Sequence, residues 1–318
     1  MERGALLAVT GGTGFVGRHV VRCARELGYR VRFLLRDPSA VERADGERVA
    51  FDLDDEGALD PDVLRGCDAL LHLAAHIPRD HLDPCEAGRC WRRNALGTLR
   101  LMNAARPAGV RSVFQLASAN AYAPHVERPD ERAPMFPAGR VFYLTSKIAQ
   151  ETYAEFVCRR DGVALTTLRL GSVFGPGQSL GAVATLARRL QRNETVVLTH
   201  GGSFGADLVS VGDVCDALFL LLRVEASGVY NVGSGVRTTI ANLAARLCRL
   251  TETDPAQVSG EAAVGEGDPG FPALDIRKIG RLGYRPGDLD EGLRSLLDWL
   301  GCEERPAAPS SRRTGLTR

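Results

Sequence analysis

A tyrosine and a lysine stand four residues apart in the segment YLTSK, at Tyr143 and Lys147. Four residues bring two side chains to the same face of a helix. A phenol has a pKa of about 10 and is a weak base at neutral pH, and a neighbouring ammonium group favours its anion. The pair therefore predicts a phenol that exchanges a proton with a substrate, assisted by Lys147. Because such pairs also arise by chance, the surrounding sequence has to support this interpretation.

A serine lies upstream of this pair, in the segment QLASANAY. Ser118 comes just after the predicted strand over residues 112–116. The carboxyl ends of strands in an open α/β sheet face the ligand crevice. We therefore expect the Ser118 hydroxyl to hold a substrate oxygen beside the Tyr143 phenol. The alternative is that this serine caps the end of its strand.

Three glycines with the spacing G-x-x-G-x-x-G follow the apolar run over residues 5–9, at Gly11, Gly14 and Gly17. A strand-to-helix turn of this kind lets a pyrophosphate approach the backbone at the helix N-terminus, and lets the helix pack closely on the sheet. We expect the turn to bind a dinucleotide, with Phe15 and Val16 among the contacts. A tight turn with no ligand is the alternative.

The ends of the next strands point to the same ligand. In FLLRDPS, Arg36 stands where the adenosine ribose of a dinucleotide would lie, and a guanidinium suits a 2′-phosphate. This predicts NADP, with NAD as the alternative cofactor and an ordinary surface arginine as the alternative interpretation. In FDLDD, Asp52 offers an acceptor for the adenine amino group, and Leu53 adjoins it. The segment LLHLAA ends in residues small enough for a cofactor to lie against the backbone, and its expected contacts are Leu73, Ala74 and Ala75.

Short apolar runs alternate with helix-length segments from the N-terminus to about residue 170. This alternation predicts a doubly wound parallel (Rossmann) sheet covered on both faces, followed by a smaller C-terminal substrate lobe. The expected dinucleotide-binding domain comprises residues 1–171, with residues 208–232 returning to it. The lobe comprises residues 172–207 and 233–300, and the Pro-, Ser- and Arg-rich segment 301–318 is expected to be a disordered tail.

Composition restricts the partners. The formal net charge of +1 provides no general field that attracts nucleic acid or an anionic membrane. No apolar stretch reaches the roughly 20 residues of a membrane span, and no leader-like segment opens the sequence. We therefore expect a cytoplasmic protein with neither of those partners. Eight cysteines without paired spacing indicate free thiols, and we expect no metal site.

Taken together, these segments resemble the extended short-chain dehydrogenases/reductases, the family of nucleotide-sugar epimerases, dehydratases and ketoreductases. The similarity covers roughly residues 5–300. It includes, in order, TGGTGFVG, HLAA, NALGT, the serine four residues before Tyr122, YLTSK, LRLGSVFGPG, DLVSVGDV, YNVGSG and LGYRP.

The resemblance implies roles for single residues. Tyr143 would be the acid/base, Lys147 would lower its pKa and hold the nicotinamide ribose, and Ser118 would orient the substrate. The remaining implied cofactor contacts are Asn94, Gly171 and Val173, and the expected substrate contacts are His76, Asn120 and Ser172. For Asn94 the alternative is a helix residue that ties a neighbouring strand. We expect His72 to pack within the sheet, and the protein to be a homodimer.

The sequence also departs from the family. The sugar dehydratases of this family share an Asp-Glu pair, and this chain has Ala119 and Asn120 at those two positions. The chain therefore lacks the acid/base pair that dehydration requires. At the places where nucleotide-sugar members grip the diphosphate, it has Ser172, Ala206 and Gly265. Two of these places usually hold guanidiniums, which bind phosphate in a bidentate manner. Substitutes from other positions would be Arg188, Arg189, Arg237 or Arg277.

Three functions follow from this sequence. The first is an NADP-preferring oxidoreductase that reduces a ketone, or epimerises a carbinol centre through a transient ketone, on a sugar-like substrate. The second is a nucleotide-sugar epimerase with an atypical diphosphate site. The third is a non-catalytic protein that senses NADP, which the intact set of Ser118, Tyr143 and Lys147 argues against.

Overall fold

A seven-stranded parallel sheet forms the centre of the chain, whose computed structural model describes residues 1–42, 46–261 and 268–303. From one edge to the other, the strands (bounds below) lie in the order β3-β2-β1-β4-β5-β6-β10. The order in which the chain adds strands therefore reverses between β1 and β4. This arrangement confirms the predicted doubly wound fold. Its strands are β1 (Leu6–Thr10), β2 (Arg30–Leu35), β3 (Glu47–Ala50), β4 (Ala69–His72), β5 (Ser112–Ser118), β6 (Ala164–Leu170) and β10 (Gly228–Val232).

Helices cover both faces of this sheet, because the central strands bury both of theirs. On one face α1 packs against α6, and on the other α3 packs against α4. Their bounds are α1 (Phe15–Glu26), α2 (Cys85–Cys90), α3 (Gly97–Ala105), α4 (Val141–Asp161) and α6 (Val211–Arg223).

The helix-length segment over residues 91–106 does not form one regular α-helix. A π-helical segment, Trp91–Leu96, joins α2 to α3. Gly97 follows it and lies so close to the loop after β3 that a Cβ atom would stand 2.5 Å from the Leu53 carbonyl oxygen. The tight packing at Gly97 and the π segment together place Asn94 on the side of the helix that faces the sheet edge, where it is completely buried.

The C-terminal lobe has its own core and two small sheets, β11-β9-β7 and β12-β8. Its β9 includes residues 208–210, which the sequence assigned to the larger domain; α6 and β10 return to the large sheet. The domain limits themselves stay a prediction. The elements outside the large sheet are β7 (Ser172–Phe174), α5 (Ala182–Gln191), β8 (Val196–Leu198), β9 (Gly205–Ser210), β11 (Arg237–Thr239), α7 (Ile240–Thr251), β12 (Val258–Gly260), α8 (Arg277–Gly280) and α9 (Leu289–Glu303).

The structure differs from the expectation that a disordered tail starts at residue 301. Residues 301–303 form the end of α9, because the apolar face of that helix, including Leu293, Leu296 and Leu300, packs into the core of the lobe. Residues 304–318 lie outside the described part of the chain. Within the described ranges, no helix combines the length and the apolar character that crossing a membrane requires.

Candidate active site

The glycine turn between β1 and α1 is shaped by close contacts that only glycine permits. Gly11 has a φ of 69°, and a Cβ atom there would stand 2.7 Å from the backbone nitrogen of Ala74. At Gly17 a Cβ atom would stand 2.0 Å from the Gly11 carbonyl oxygen. Gly14 is the N-cap of α1, and no side chain caps this end. The first N–H groups of α1, at Phe15 and Val16, therefore remain available to an anion.

A cation, Arg36, and a carboxylate, Asp37, follow the end of β2, and only the carboxylate has a hydrogen-bond partner among the described residues. Arg36 is exposed, and its guanidinium has no hydrogen bond or ion pair with any residue the structure describes. The Asp37 carboxylate accepts hydrogen bonds from the backbone N–H and hydroxyl of Ser39, at 2.8 and 2.7 Å. These bonds hold the pKa of Asp37 below its usual range. The cation is thus the free group at this strand end.

The loop after β3 holds the residues expected beside adenine. The Asp52 carboxylate accepts a hydrogen bond of 3.0 Å from the Asp54 backbone N–H, and its carbonyl oxygen accepts one from Arg100. Leu53 is buried beneath Gly97. One carboxylate oxygen and the carbonyl oxygen of Asp52 thus bond within the protein. The contact of Asp52 with adenine stays a prediction.

The end of β4 lies against the glycine turn. His72 is buried as expected, with Thr10 Oγ1 and Thr98 Oγ1 each 2.7 Å from its ring nitrogens. Since Thr98 donates its hydroxyl proton to the Asn94 carbonyl, His72 Nε2–H donates to Thr98 and Nδ1 accepts from Thr10. Burial, together with the Lys147 ammonium, lowers the pKa of His72 to about 3. The imidazole is therefore neutral and structural. The expected cofactor contacts Leu73, Ala74 and Ala75 follow it directly, and Ala74 N–H donates to Thr10 Oγ1 at 3.2 Å.

The amide of Asn94 ties three elements together. Its Oδ1 accepts from the His76 backbone N–H at 2.7 Å, and its Nδ2 donates to the His76 carbonyl and to Ser146 Oγ, each at 2.9 Å. Since both amide atoms are used within the protein, the geometry favours the alternative role given for this residue. Asn94 joins the loop after β4 to α4, and so helps to position Tyr143, whose carbonyl accepts from Ser146 Oγ at 2.6 Å.

Ser118 and the Lys147 ammonium lie at the carboxyl edge of the sheet, and Tyr143 precedes Lys147 by one turn of α4. Ser118 is the last residue of β5, and its hydroxyl has no hydrogen bond within the described ranges. Lys147 Nζ donates to the Leu116 carbonyl of the same strand at 2.8 Å and to Gln150 Oε1 at 2.5 Å. Burial lowers the pKa of Lys147 to about 7. The ammonium is thus held two residues before the serine.

The expected effect of Lys147 on the pKa of Tyr143 is not seen in this structure, and it stays a prediction for the enzyme with a bound dinucleotide. Burial raises the pKa of Tyr143 to about 12, and the cation that opposes this rise is Arg140. The reason is direction: the Lys147 head group points toward β5 and Gln150. The Tyr143 ring meets the edge of the His81 ring, with the centroids 6.4 Å apart. Sequence reasoning singled out neither neighbour, although Arg140 precedes Tyr143 by only three positions.

His76 is held by charged groups. Its Nε2 forms a short hydrogen bond with Glu86, which also accepts from Arg89 at 2.8 Å, and Arg93 lies 3.3 Å from its Nδ1. These partners lower the pKa of Glu86. His76, Glu86 and Cys90 have potential metal-ligand atoms within 4.8 Å of one another, but the carboxylate is already satisfied. The role of His76 in substrate binding stays a prediction.

The other expected contacts surround the same edge. Asn120 is half-buried in a 3₁₀ turn, Ala119–Ala121, directly after Ser118. Gly171 lies where a Cβ atom would stand 2.6 Å from the Asp207 carbonyl oxygen. Ser172 and Val173 are half-buried at the start of β7. Their cofactor and substrate contacts stay predictions.

The positions that grip a diphosphate in the family have no charged side chain here. Ala206 is buried in β9, and Gly265 lies outside the described residues. Of the proposed substitutes, Arg237 donates to the carbonyls of Ser203 and Pro269. The others with protein partners are Arg189, which bonds to Glu194 and Thr195, and Arg277, which bonds to Asp275. Arg188 has no such partner among the described residues.

Comparisons with known proteins agree with this geometry. A family model described as the NAD dependent epimerase/dehydratase family matches residues 7–233. The chain is 28% identical to dTDP-L-rhamnose 4-epimerase of Burkholderia thailandensis, over 94% of this chain and 96% of that protein. It is 30% identical to dihydroflavonol 4-reductase of Zea mays, over 78% and 76%.

A solved structure shares the whole fold. MoeE5 in complex with UDP-glucose and NAD superposes with a TM-score of 0.81 at 28% identity, over 94% of this chain and 99% of that one. The same protein in complex with UDP-glucuronic acid and NAD gives a TM-score of 0.82, over 94% and 100%.

Proposed function

Because the chain belongs to the NAD-dependent epimerase/dehydratase family and is an enzyme, we propose a specific reaction for it. The enzyme moves hydride between a bound nicotinamide dinucleotide and a carbinol or ketone carbon of a sugar-like substrate. Either the ketone is reduced and released as an alcohol, or a carbinol centre is oxidised and reduced again from the other face.

One observation carries this proposal. Ser118 and the Lys147 ammonium both lie at the carboxyl end of β5, and Lys147 follows Tyr143 by one turn of α4. The glycine turn lies two strands away in the same sheet. Ligands of doubly wound sheets bind at this edge. The residues therefore fit a dinucleotide whose pyrophosphate lies at the N-terminus of α1 and whose nicotinamide lies near Tyr143.

The nicotinamide, when bound, supplies or accepts the hydride. The free Ser118 hydroxyl donates a hydrogen bond to the substrate oxygen and orients it. Tyr143 gives a proton to that oxygen as a ketone is reduced, and takes it back as a carbinol is oxidised. In the empty protein the pKa of Tyr143 is about 12, so its phenol is protonated and ready to donate. Lys147 would hold the nicotinamide ribose after exchanging its bond to Gln150.

Elimination of water is excluded from the proposal. Ala119, which is buried, and Asn120 directly follow Ser118. No carboxylate therefore stands at the two positions where the dehydratases share an Asp-Glu pair. An amide or methyl group cannot act as a general acid or base.

We also propose a preference for NADP. The exposed and unpaired Arg36 guanidinium at the end of β2 supports it, because guanidinium groups bind phosphate well. The similar structures are complexes with NAD, so NAD is the competing cofactor. Asp37, the acidic neighbour, is engaged by Ser39.

A second candidate is a nucleotide-sugar epimerase that anchors the diphosphate differently. The printed names of the relatives and the UDP-sugar complexes of MoeE5 favour it. The absence of charged side chains at Ser172 and Ala206 favours a smaller substrate instead. The similarity to dihydroflavonol 4-reductase of Zea mays, a protein named as a reductase, also favours the first candidate.

We further propose that the enzyme is a homodimer. Trp91, Leu96 and Phe156 are large apolar side chains on neighbouring helices that are 40 to 56% exposed. A second copy would cover them. The cytoplasmic location and the lack of nucleic-acid and membrane partners stay predictions of the sequence.

Native mass spectrometry of the purified protein tests the reaction and the cofactor together. A bound dinucleotide supports the proposal, and its mass reveals the additional phosphate of NADP. Retained oxidised cofactor favours epimerisation, whereas an empty site that fills on adding NADPH favours reduction. Binding of neither NAD nor NADP at millimolar concentration would contradict the proposal.

A further inference from the structure

Arg140 is the residue before α4, three positions from Tyr143, and its backbone is left-handed at φ 50° and ψ 39°. A residue other than glycine adopts this conformation at a cost in free energy, and such residues cluster at ligand sites. The Arg140 carbonyl accepts the hydrogen bond from Leu144 N–H that begins α4. The turn therefore fixes where its side chain leaves the backbone.

The Arg140 guanidinium reaches across the crevice toward the C-terminal lobe. It lies 5.9 Å from the ring centroid of Phe271, which packs edge-on against Phe204 at 5.8 Å. Within the described ranges it forms no hydrogen bond and no ion pair with a carboxylate. An arginine placed over an aromatic ring in this way keeps its N–H donors, which lie in the guanidinium plane, available to a ligand.

His81 also lies beside Tyr143. Its ring meets the Tyr143 ring at a centroid distance of 6.4 Å, and its Nδ1 is buried without a hydrogen-bond partner in the described structure. Burial lowers the pKa of His81, with a smaller contribution in the same direction from the Arg140 guanidinium, whereas Asp80 and Glu86 oppose the shift. The same guanidinium opposes the rise in the pKa of Tyr143. Arg140 therefore lies within electrostatic reach of both rings.

We propose that the substrate carries an oxyanion, a carboxylate or phosphate group near its reacting carbon, that Arg140 binds with the help of His81. A buried nitrogen without a partner needs a hydrogen bond, and a substrate oxygen supplies one. Guanidinium groups recognise both kinds of oxyanion with two parallel hydrogen bonds. This inference rests on the proposed function, since it assigns the substrate class to that same site.

The test uses the dinucleotide-loaded protein and matched sugars. D-glucose, D-glucuronate and D-glucose 6-phosphate are titrated separately, and the imidazole NMR signals of His81, identified by their loss in His81→Asn, report binding. Of the two anionic sugars, at least one binds about ten- to a hundredfold more tightly than glucose, as a charge-assisted hydrogen bond provides. The carboxylate and phosphate arms distinguish the two kinds of substrate group.

Arg140→Gln abolishes this preference and Arg140→Lys keeps part of it. Arg159→Gln is the matched control, because Arg159 is an exposed arginine on the same helix, near its other end. Equal or undetectable affinity for glucose and both anionic sugars, or an unchanged preference in Arg140→Gln, overturns the inference. Dinucleotide binding, measured separately by native mass spectrometry, shows whether the proposed function still stands.

Discussion

The carboxyl edge of the large sheet and the C-terminal lobe differ in how their polar groups are used. At the edge, Ser118, Tyr143 and the first N–H groups of α1 have free hydrogen-bonding capacity beside a rigid, buried sheet. In the lobe, the arginines that would replace a diphosphate clamp mostly bond to their own neighbours, as Arg237 does. The cofactor half is therefore prepared for a large anionic ligand, while the substrate half is not.

This difference shows where binding energy comes from. A nucleotide sugar supplies remote contacts that position its sugar over the nicotinamide. Without guanidinium groups at Ala206 and Gly265, such contacts are weak, and the substrate has to be positioned close to Tyr143. Arg140 and His81 lie there, at the boundary between the two regions.

The largest effect should come from the reacting edge. Tyr143→Phe removes one hydroxyl and leaves the fold and dinucleotide binding nearly unchanged, yet lowers turnover by about two to four orders of magnitude, the usual contribution of a positioned acid/base. Tyr153→Phe on the same helix is the control, because its ring packs on Trp91 and its hydroxyl forms no hydrogen bond among the described residues. Near-full activity of Tyr143→Phe, measured by nicotinamide absorbance, would remove Tyr143 from the mechanism.

A substitution in the glycine turn should have the next largest effect, on the half of the molecule that is proposed to bind the cofactor. Gly17→Ala brings a Cβ atom to 2.0 Å from the Gly11 carbonyl oxygen, so the backbone has to move. We expect a loss of roughly 1 to 3 kcal/mol in the free energy of unfolding, together with weaker dinucleotide binding. Gly139→Ala is the control, since a Cβ atom there meets nothing within 4 Å. Urea denaturation of both variants measures the difference, and equal midpoints would show that the turn adapts.

The buried lysine predicts a dependence of stability on pH. In the folded protein the pKa of Lys147 is about 7, below its ordinary 10.5, so between these values the unfolded chain binds more protons. The contribution of Lys147 to stability therefore increases as pH rises from 7 toward 10.5, by at most about 1.4 kcal/mol per pH unit.

Lys147→Met removes this contribution. Between pH 7 and 9, the free energy of unfolding of the empty wild-type protein should rise relative to that of the variant, as measured by urea denaturation. A difference that does not change with pH would mean that the lysine stays charged in the fold. The variant should also bind the dinucleotide more weakly, because Lys147 is the residue assigned to the nicotinamide ribose.

Cofactor preference should respond to Arg36. If its guanidinium binds the 2′-phosphate, NADPH binds more tightly than NADH, and Arg36→Ala removes about ten- to a hundredfold of that preference. Arg159→Ala, at an exposed arginine far along the chain, should leave it unchanged. Fluorescence titrations of the reduced cofactors provide the dissociation constants. Equal constants in the unmodified protein would favour the NAD assignment.

The sequence predicted what depends on local pattern. Apolar strand runs predicted the parallel sheet, and the i, i+4 spacing brought Tyr143 and Lys147 to one helix face. It did not predict the direction of the Lys147 head group, because the Leu116 and Gln150 acceptors become neighbours only in the folded sheet. Glu86 was missed for the same reason, because the nine intervening residues return it to His76. Arg140 showed no pattern of its own, since its position relative to Phe271 depends on how the lobe packs.

Calorimetric titration of the dinucleotide-loaded protein with UDP, TDP and GDP tests most directly whether the two regions differ as described. Because Ser172 and Ala206 provide no charged contact, we predict dissociation constants in the millimolar range, about −4 kcal/mol. Inorganic phosphate serves as the control for unspecific binding. Micromolar affinity for any of these diphosphates would contradict the small-substrate account and establish the nucleotide-sugar epimerase in its place.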